Sequence, residues 1–276
     1  MGFTQLASGD IGIIYGIHND GRLLFYKDES RDGSNAADGS TGWSRNTGHQ
    51  IGQHFEGARL LTGSGDGTLY VVHQDGRLLF YKDESRDGSN AADGSTGWSR
   101  NTGHQIGQHF EGARLLTGSG DGTLYVVHQD GRLLFYKDES RDGSNAADGS
   151  TGWSRNTGHQ IGQHFEGARL LTGSGDGTLY VVHQDGRLLF YKDESRDGSN
   201  AADGSTGWSR NTGHQIGQHF EAIKQIVGGG DGVLYAVHQD GRLLFFKDDF
   251  RDGSNAPDGS TGWSKGSGNQ VGQGWA

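Results

Sequence analysis

Ala58-Arg59-Leu60-Leu61-Thr62-Gly63-Ser64-Gly65-Asp66-Gly67-Thr68-Leu69-Tyr70-Val71-Val72-His73-Gln74-Asp75-Gly76-Arg77-Leu78-Leu79-Phe80-Tyr81-Lys82-Asp83 decides the fold. Thr68 to His73 is rich in β-branched and aromatic residues and reads as a strand. Leu78 to Lys82 reads as its return strand, because Asp75-Gly76 between two apolar runs is a strong hairpin signal. Ala58 to Thr62 is a third short strand, set off by the turn cluster Gly63 to Gly67. Side chains alternate across a strand, so Leu69 and Val71 face one way while Tyr70 and Val72 face the other. Both faces of this small sheet are therefore apolar, and it needs neighbours on both sides.

The neighbours are copies of itself. Between Asp20 and Glu221 each residue reappears unchanged 55 positions later, and Tyr15, Tyr70, Tyr125, Tyr180 and Tyr235 mark five copies. The end copies diverge: Phe3-Thr-Gln-Leu-Ala-Ser-Gly and Ile223-Lys-Gln-Ile-Val-Gly-Gly replace the Ala58 segment, and the last copy ends in Val271-Gly-Gln-Gly-Trp275. An open array would carry polar outer faces at its ends. Tyr15 with Ile17 and Tyr235 with Val237 keep apolar residues in both terminal copies, which favours a closed ring. The rest of the unit is a polar stretch, Asp83 to Gly97, then Trp98, then Gln105-Ile106-Gly107-Gln108 as a short outer strand. The expectation is all-β: a single propeller domain spanning 1–276, with five blades of about four antiparallel strands and one 55-residue unit per blade.

Composition removes several function classes. Hydrophobic content of 31% with 52 glycines would suggest low complexity, but the apolar residues fall in short runs at fixed places in each unit. A net charge of −10 without a basic tract argues against nucleic acid as a partner. There is no cysteine for a disulfide or thiolate metal site, and no apolar run near the roughly 20 residues that cross a bilayer. Met1 to Leu6 lacks a signal-peptide core, so the sequence reads as soluble, without membrane insertion and without a visible address. Catalysis needs an asymmetric set of unlike groups in one pocket. Identical copies do not supply one, and no paired Glu, Ser/His/Asp spacing or nucleophile elbow is present, so an enzyme is not expected and no cofactor is implied.

Two polar patterns carry possible chemistry. Asp83-x-Ser85-x-Asp87-Gly88 copies the opening spacing of a calcium loop, but Gly94 stands where the twelfth-position Glu belongs, and Asx-type turns explain the pattern better. His104 and His109 lie five apart, on opposite faces of an extended segment, and read as polar edge residues or, at best, sugar-contacting side chains; His73 closes a strand. No metal site is expected.

With these residues in view, the unit resembles that of the tachylectin-type five-bladed β-propeller lectins. The matching residues are Gly230-Asp-Gly-Val-Leu-Tyr235-Ala-Val, Asp240-Gly-Arg-Leu-Leu-Phe-Phe-Lys, Trp263 and Val271-Gly-Gln-Gly-Trp275. Four copies depart from the pattern, with His54-Phe55 or His109-Phe110 and their equivalents where the family prefers Gly-Trp. The resemblance implies a multivalent lectin for glycans bearing N-acetylglucosamine or N-acetylgalactosamine, with one shallow site per blade or blade junction; the sequence leaves the oligomeric state open, with a monomer favoured. It places the sites at Trp43, Trp98, Trp153, Trp208 and Trp263 with Asp38, Asp93, Asp148, Asp203 and Asp258. Asn35, Asn90, Asn145, Asn200 and Asn255, and Asn46, Asn101, Asn156 and Asn211, are auxiliary hydrogen-bonders. An aromatic plane beside short polar side chains complements the weakly apolar face and hydroxyl fringe of a sugar. The identity of the copies marks an array recently amplified or deliberately built, and the competing reading is a rigid, symmetric protein-binding or purely structural ring, with calcium-binding loops as a variant of it; there Trp98 would pack rather than present its indole.

Overall fold

A computed structural model describes residues 2–276. Twenty strands form five four-stranded antiparallel sheets, each made of consecutive strands. In the second blade these are Ala58–Gly63, Thr68–His73, Leu78–Lys82 and His104–Gly107, from the axis outward. The middle pair is in the register expected from the Asp-Gly turn, with Val72 opposite Leu78 and Thr68 opposite Lys82. The turn is one residue longer than a minimal hairpin. His73 N donates to the Arg77 carbonyl, and Gly76 takes the positive-φ place of a bulge at φ 81°. Both faces of each sheet are buried: Leu69, Tyr70, Val72, Leu78 and Phe80 are wholly inaccessible, and the core is a set of inter-blade clusters.

The first strands of the five blades line the axis and touch one another around it. A Cβ at Gly63 would collide with the Ser8 carbonyl, one at Gly118 with that of Gly63, and so on through Gly173 and Gly228. The axis is thus packed backbone against backbone, which only glycine permits at four of the five positions. Thr62 Oγ1 accepts the amide of Gly118 in the next blade at 2.7 Å, and Thr117 and Thr172 repeat the bond at 2.7 and 2.8 Å.

A second ring of bonds runs farther out. Tyr15 Oη donates to Asp83 Oδ2 of the following blade at 2.8 Å, and Tyr70–Asp138, Tyr125–Asp193, Tyr180–Asp248 and Tyr235–Asp28 close the circle at 2.7–2.9 Å. All ten side chains are fully buried. Burial, then the charge of the neighbouring carboxylate, pushes each phenol well above its usual pKa. The ring therefore holds neutral tyrosine donors against their aspartate acceptors.

The chain ends meet between the fifth and first blades, each of which is complete in itself. Trp275 packs on Phe3 and Tyr26, with ring centroids 5.0 and 4.6 Å away. Gln225 Nε2 donates to the Phe3 carbonyl at 2.7 Å.

Candidate functional site

The polar stretch after Asp83 is ordered by its own hydrogen bonds. Glu84 N donates to the Gly97 carbonyl at 2.9 Å, Ala91 N to the Thr96 carbonyl at 3.2 Å, and Asp83 pairs with Trp98 as an isolated bridge. The Asp83 carboxylate is consumed within this frame, taking the Tyr15 hydroxyl on Oδ2 and Ser85 Oγ and Arg86 N on Oδ1. The calcium-like spacing is thus a turn built around a buried acceptor.

This loop brings Trp98 to the preceding blade, where its Nε1 donates to the Ile51 carbonyl at 2.9 Å. Trp43, Trp153, Trp208 and Trp263 reach Val271, Ile106, Ile161 and Ile216 in the same way at 3.0–3.1 Å. Each indole is half-buried. Its edge is fixed by that bond, and it meets Tyr81 edge-on at 6.4 Å. Beside it opens a cleft between blades, walled by Gly52, Gln53, His54 and Phe55 of one blade and by Tyr81, Ala92, Asp93, Gly94 and Trp98 of the next. Equivalent clefts lie at Trp43, Trp208 and Trp263, and the four range from about 180 to 530 Å³. At Trp153 the same contacts recur, with Phe110 5.1 Å from Tyr136 and Tyr136 6.3 Å from Trp153.

Asp93 stands at the rim as an exposed carboxylate. Its Oδ1 accepts Ser95 N at 3.0 Å, and the Ser95 hydrogen bonds hold its pKa below the usual carboxylate value. Asp38, Asp148, Asp203 and Asp258 make the same Asx turn at 3.0 Å. Aromatic and carboxylate are thus brought together.

The asparagines are not. Asn35, Asn90, Asn145, Asn200 and Asn255 are about 95% buried, the opposite of the exposure their polar loop implied. Asn90 Nδ2 donates to the Gly97 carbonyl at 2.9 Å, and the Ser85 hydroxyl is shared between Asn90 Oδ1 and the Asp83 carboxylate, so the side chain is turned into the loop. Asn46, Asn101, Asn156 and Asn211 reach sideways instead, each donating at 2.7 Å to the carbonyl of Asp87, Asp142, Asp197 or Asp252 in the next blade. Backbone groups that need partners take both sets away from the cleft.

Sequence reasoning underrated one cleft residue. His54, His109, His164 and His219 are exposed and sit at φ 68–69°, and Gly274 takes the equivalent place at φ 78°. Their position demands a left-handed backbone, which explains why glycine suits it, and His54, His164 and His219 line the clefts. The signal was Gly274 itself, aligned with the four histidines.

The clefts are not all alike. Those at Trp98 and Trp208 share His-Phe and Tyr walls, the one at Trp263 has Phe246, Pro257 and Lys265, and the one at Trp43 has Trp275 in place of the phenylalanine and no histidine.

The family model named Tachylectin matches residues 1–146 and again 84–276. No curated protein matches the sequence. A solved structure described as "The de novo evolutionary emergence of a symmetrical protein is shaped by folding constraints" is 21% identical, covers 95% of this chain and 93% of its own, and superposes with a TM-score of 0.58. This is a likeness of fold. The crystal structure of Kap60 bound to yeast RCC1 (Prp20) is more distant, at 11% identity, 95% and 61% coverage and a TM-score of 0.43.

Proposed function

The chain belongs to the tachylectin family, and from that premise we propose that it is a multivalent, non-enzymatic carbohydrate-binding protein for glycans bearing terminal N-acetylhexosamine. The observation that carries the reading is the repeated pairing of a half-buried indole with an exposed, turn-fixed carboxylate in a cleft between blades. Trp98 and its equivalents offer an apolar surface to the sugar ring; Asp93 and its equivalents accept hydrogens from its hydroxyls or amide. Asn90 and Asn101 serve the site indirectly, by holding the loop and clasping the next blade. Five weak sites on a rigid ring give avidity for dense glycans that one site lacks, a gain of roughly 10²–10⁴.

The second reading, a rigid docking ring, draws on the bond from each indole to the preceding blade, which is what a packing residue would make. Calorimetric titration of N-acetylglucosamine and N-acetylgalactosamine, with Trp98→Phe and the five-fold Trp→Phe and Trp→Ala variants, separates the two. The lectin reading expects weak binding at several sites per chain, abolished in a five-fold Ala variant that still melts cooperatively. The three clefts at Trp98, Trp153 and Trp208 should titrate as one class, apart from those at Trp43 and Trp263. No heat from either sugar with the unmodified protein sinks the lectin reading.

A further inference from the structure

The end of the axis where the innermost strands begin holds a cavity of about 260 Å³ that none of the glycan clefts shares. Every blade contributes to it, and the contributions are unequal. Leu60, Leu115 and Leu170 of the three middle blades form one wall; the equivalent places in the first and fifth blades are Gln5 and Gln225. Because those blades are neighbours in the closed ring, the polar residues stand together, with Thr4 and Lys224 beside them. Leu61, Leu116, Leu171, Leu6 and Ile226 lie one residue further along the same strands.

The cavity is cationic. Lys224 on the polar wall and Arg114 of the third blade line it, no carboxylate does, and this in a chain of net charge −10. Arg114 is bound to the carbonyls of Ala168 and Phe165. Lys224 is exposed and makes no ion pair or hydrogen bond among the described residues. Gln225 has spent one amide hydrogen on the Phe3 carbonyl; the Gln5 side chain has no partner there. An apolar wall facing a free ammonium and a free amide is complementary to an anion with an aliphatic tail.

We propose that this axial cavity binds a free medium-chain aliphatic carboxylate, its head on Lys224 and Gln5 and its tail along Leu60, Leu115 and Leu170. At roughly 30 Å³ for a water-sized group, the volume suits a chain of about six to eight carbons. The proposal is independent of the lectin reading, since the two sites share no residue.

The repeat supplies its own controls. Leu→Gln is already accommodated at this place in two blades, and Thr4 occupies the position of Lys224, so Leu60→Gln/Leu115→Gln/Leu170→Gln and Lys224→Thr substitute residues the fold already carries. Octanoate, hexanoate, octanol and octylammonium are titrated calorimetrically into the full chain. Octanoate should bind once per chain, about tenfold or more tighter than hexanoate, since each methylene buried is worth roughly fourfold. The triple variant should lose octanoate binding by at least tenfold. Lys224→Thr should weaken octanoate several-fold and leave octanol unchanged, and octylammonium should not bind. No octanoate heat, or octanoate binding unchanged in the triple variant, overturns the proposal; equal binding of octanoate and octylammonium overturns the assignment of the head group to Lys224.

Discussion

Ile11 is the clearest local fault in the ring, and Ile11→Asp should repair it. In the second, third and fourth blades the equivalent residue is Asp66, Asp121 or Asp176, each bonded to the lysine of its own blade and the arginine of the next. Asp121, for example, lies 3.2 Å from Lys137 and 2.9 Å from Arg196. In the first blade the place belongs to Ile11, which is 51% exposed and sits at φ 49°. A β-branched residue is an outlier in that region, whereas aspartate enters it with less cost, as Asp121 and Asp231 do at φ 50° and 51°. Lys27 and Arg86 are left without a carboxylate, and Arg86 turns to the carbonyls of Gly9 and Gly65 at 2.9 Å.

Two gains add. Relief of the backbone is worth about 1 kcal/mol, toward the low end of the cost of a left-handed residue. Two partly exposed ion pairs contribute about 0.2–1 kcal/mol each. Ile11→Asp should therefore stabilise the protein by about 2 kcal/mol, read as a higher urea midpoint at unchanged slope. Ile11→Asn isolates the backbone part, because asparagine accepts the same φ without charge. The gap between the two variants should shrink in high salt, where exposed pairs are screened. If Asp and Asn variants coincide at low salt, the pairing argument fails; if neither exceeds the parent, the strain argument fails with it.

The buried tyrosines predict a steep alkaline limit. Their folded pKa values lie above the unfolded value near 10, so their contribution is fully present below about pH 10 and is lost as pH rises through the folded values. The five ring phenols alone give a slope approaching about 7 kcal/mol per pH unit in a titration of stability; the half-buried Tyr26, Tyr81, Tyr136 and Tyr191, also raised by burial, add to it, and Tyr125→Phe should lower the slope by about 1.4 kcal/mol per pH unit. At neutral pH that variant should lose about 2 kcal/mol, because Asp193 Oδ2 has no other partner; an unchanged urea midpoint would contradict the bond. Replacing His54, His109, His164 and His219 by glycine together should raise stability by about 2 kcal/mol, the strain relieved less the chain entropy glycine costs. If sugar affinity falls in the same protein, the histidines touch the ligand; a drop in stability would refute the strain.

The strands were legible because their alternation is local. Thr68–His73 and Leu78–Lys82 fall where their composition and the Asp-Gly turn put them, and the doubled apolar face with the 55-residue period leaves little but a ring. The bonds between blades were not legible. Tyr15 and Asp83 are 68 residues apart, more than one unit, and no local pattern says that a polar residue of one copy answers an aromatic of another. The burial of the Asn90 set, expected as auxiliary hydrogen-bonders of a glycan, was hidden for a related reason: its amide answers a carbonyl of its own loop, which composition does not reveal. The indole and carboxylate were brought together as the resemblance implied, though the carbonyl that fixes each indole belongs to the preceding blade and was invisible in a single unit.

Divergence at the two ends answers a problem that identical copies cannot solve. In the middle of the array the next blade is covalently delivered; at the last junction it must be recognised. The substitutions there match one another across the gap. Phe3 replaces the Ala58-type residue, and Gly16 replaces the Val71-type residue at the spot where a side chain would strike the Phe3 ring. Trp275 replaces Phe55 and fills the space against Phe3, Tyr26 and Trp43. Gly266 stands where Asn101-type residues clasp the next blade, and Asn269 restores the clasp by donating to the Gly33 carbonyl at 2.9 Å. The first two changes depend on one another, since Val71 would obstruct a phenylalanine at 58. Their coincidence at one junction identifies it as the closing seam, held by these side chains and by the Gly12 amide on the Gly229 carbonyl at 2.9 Å, where the other four junctions also have the covalent chain.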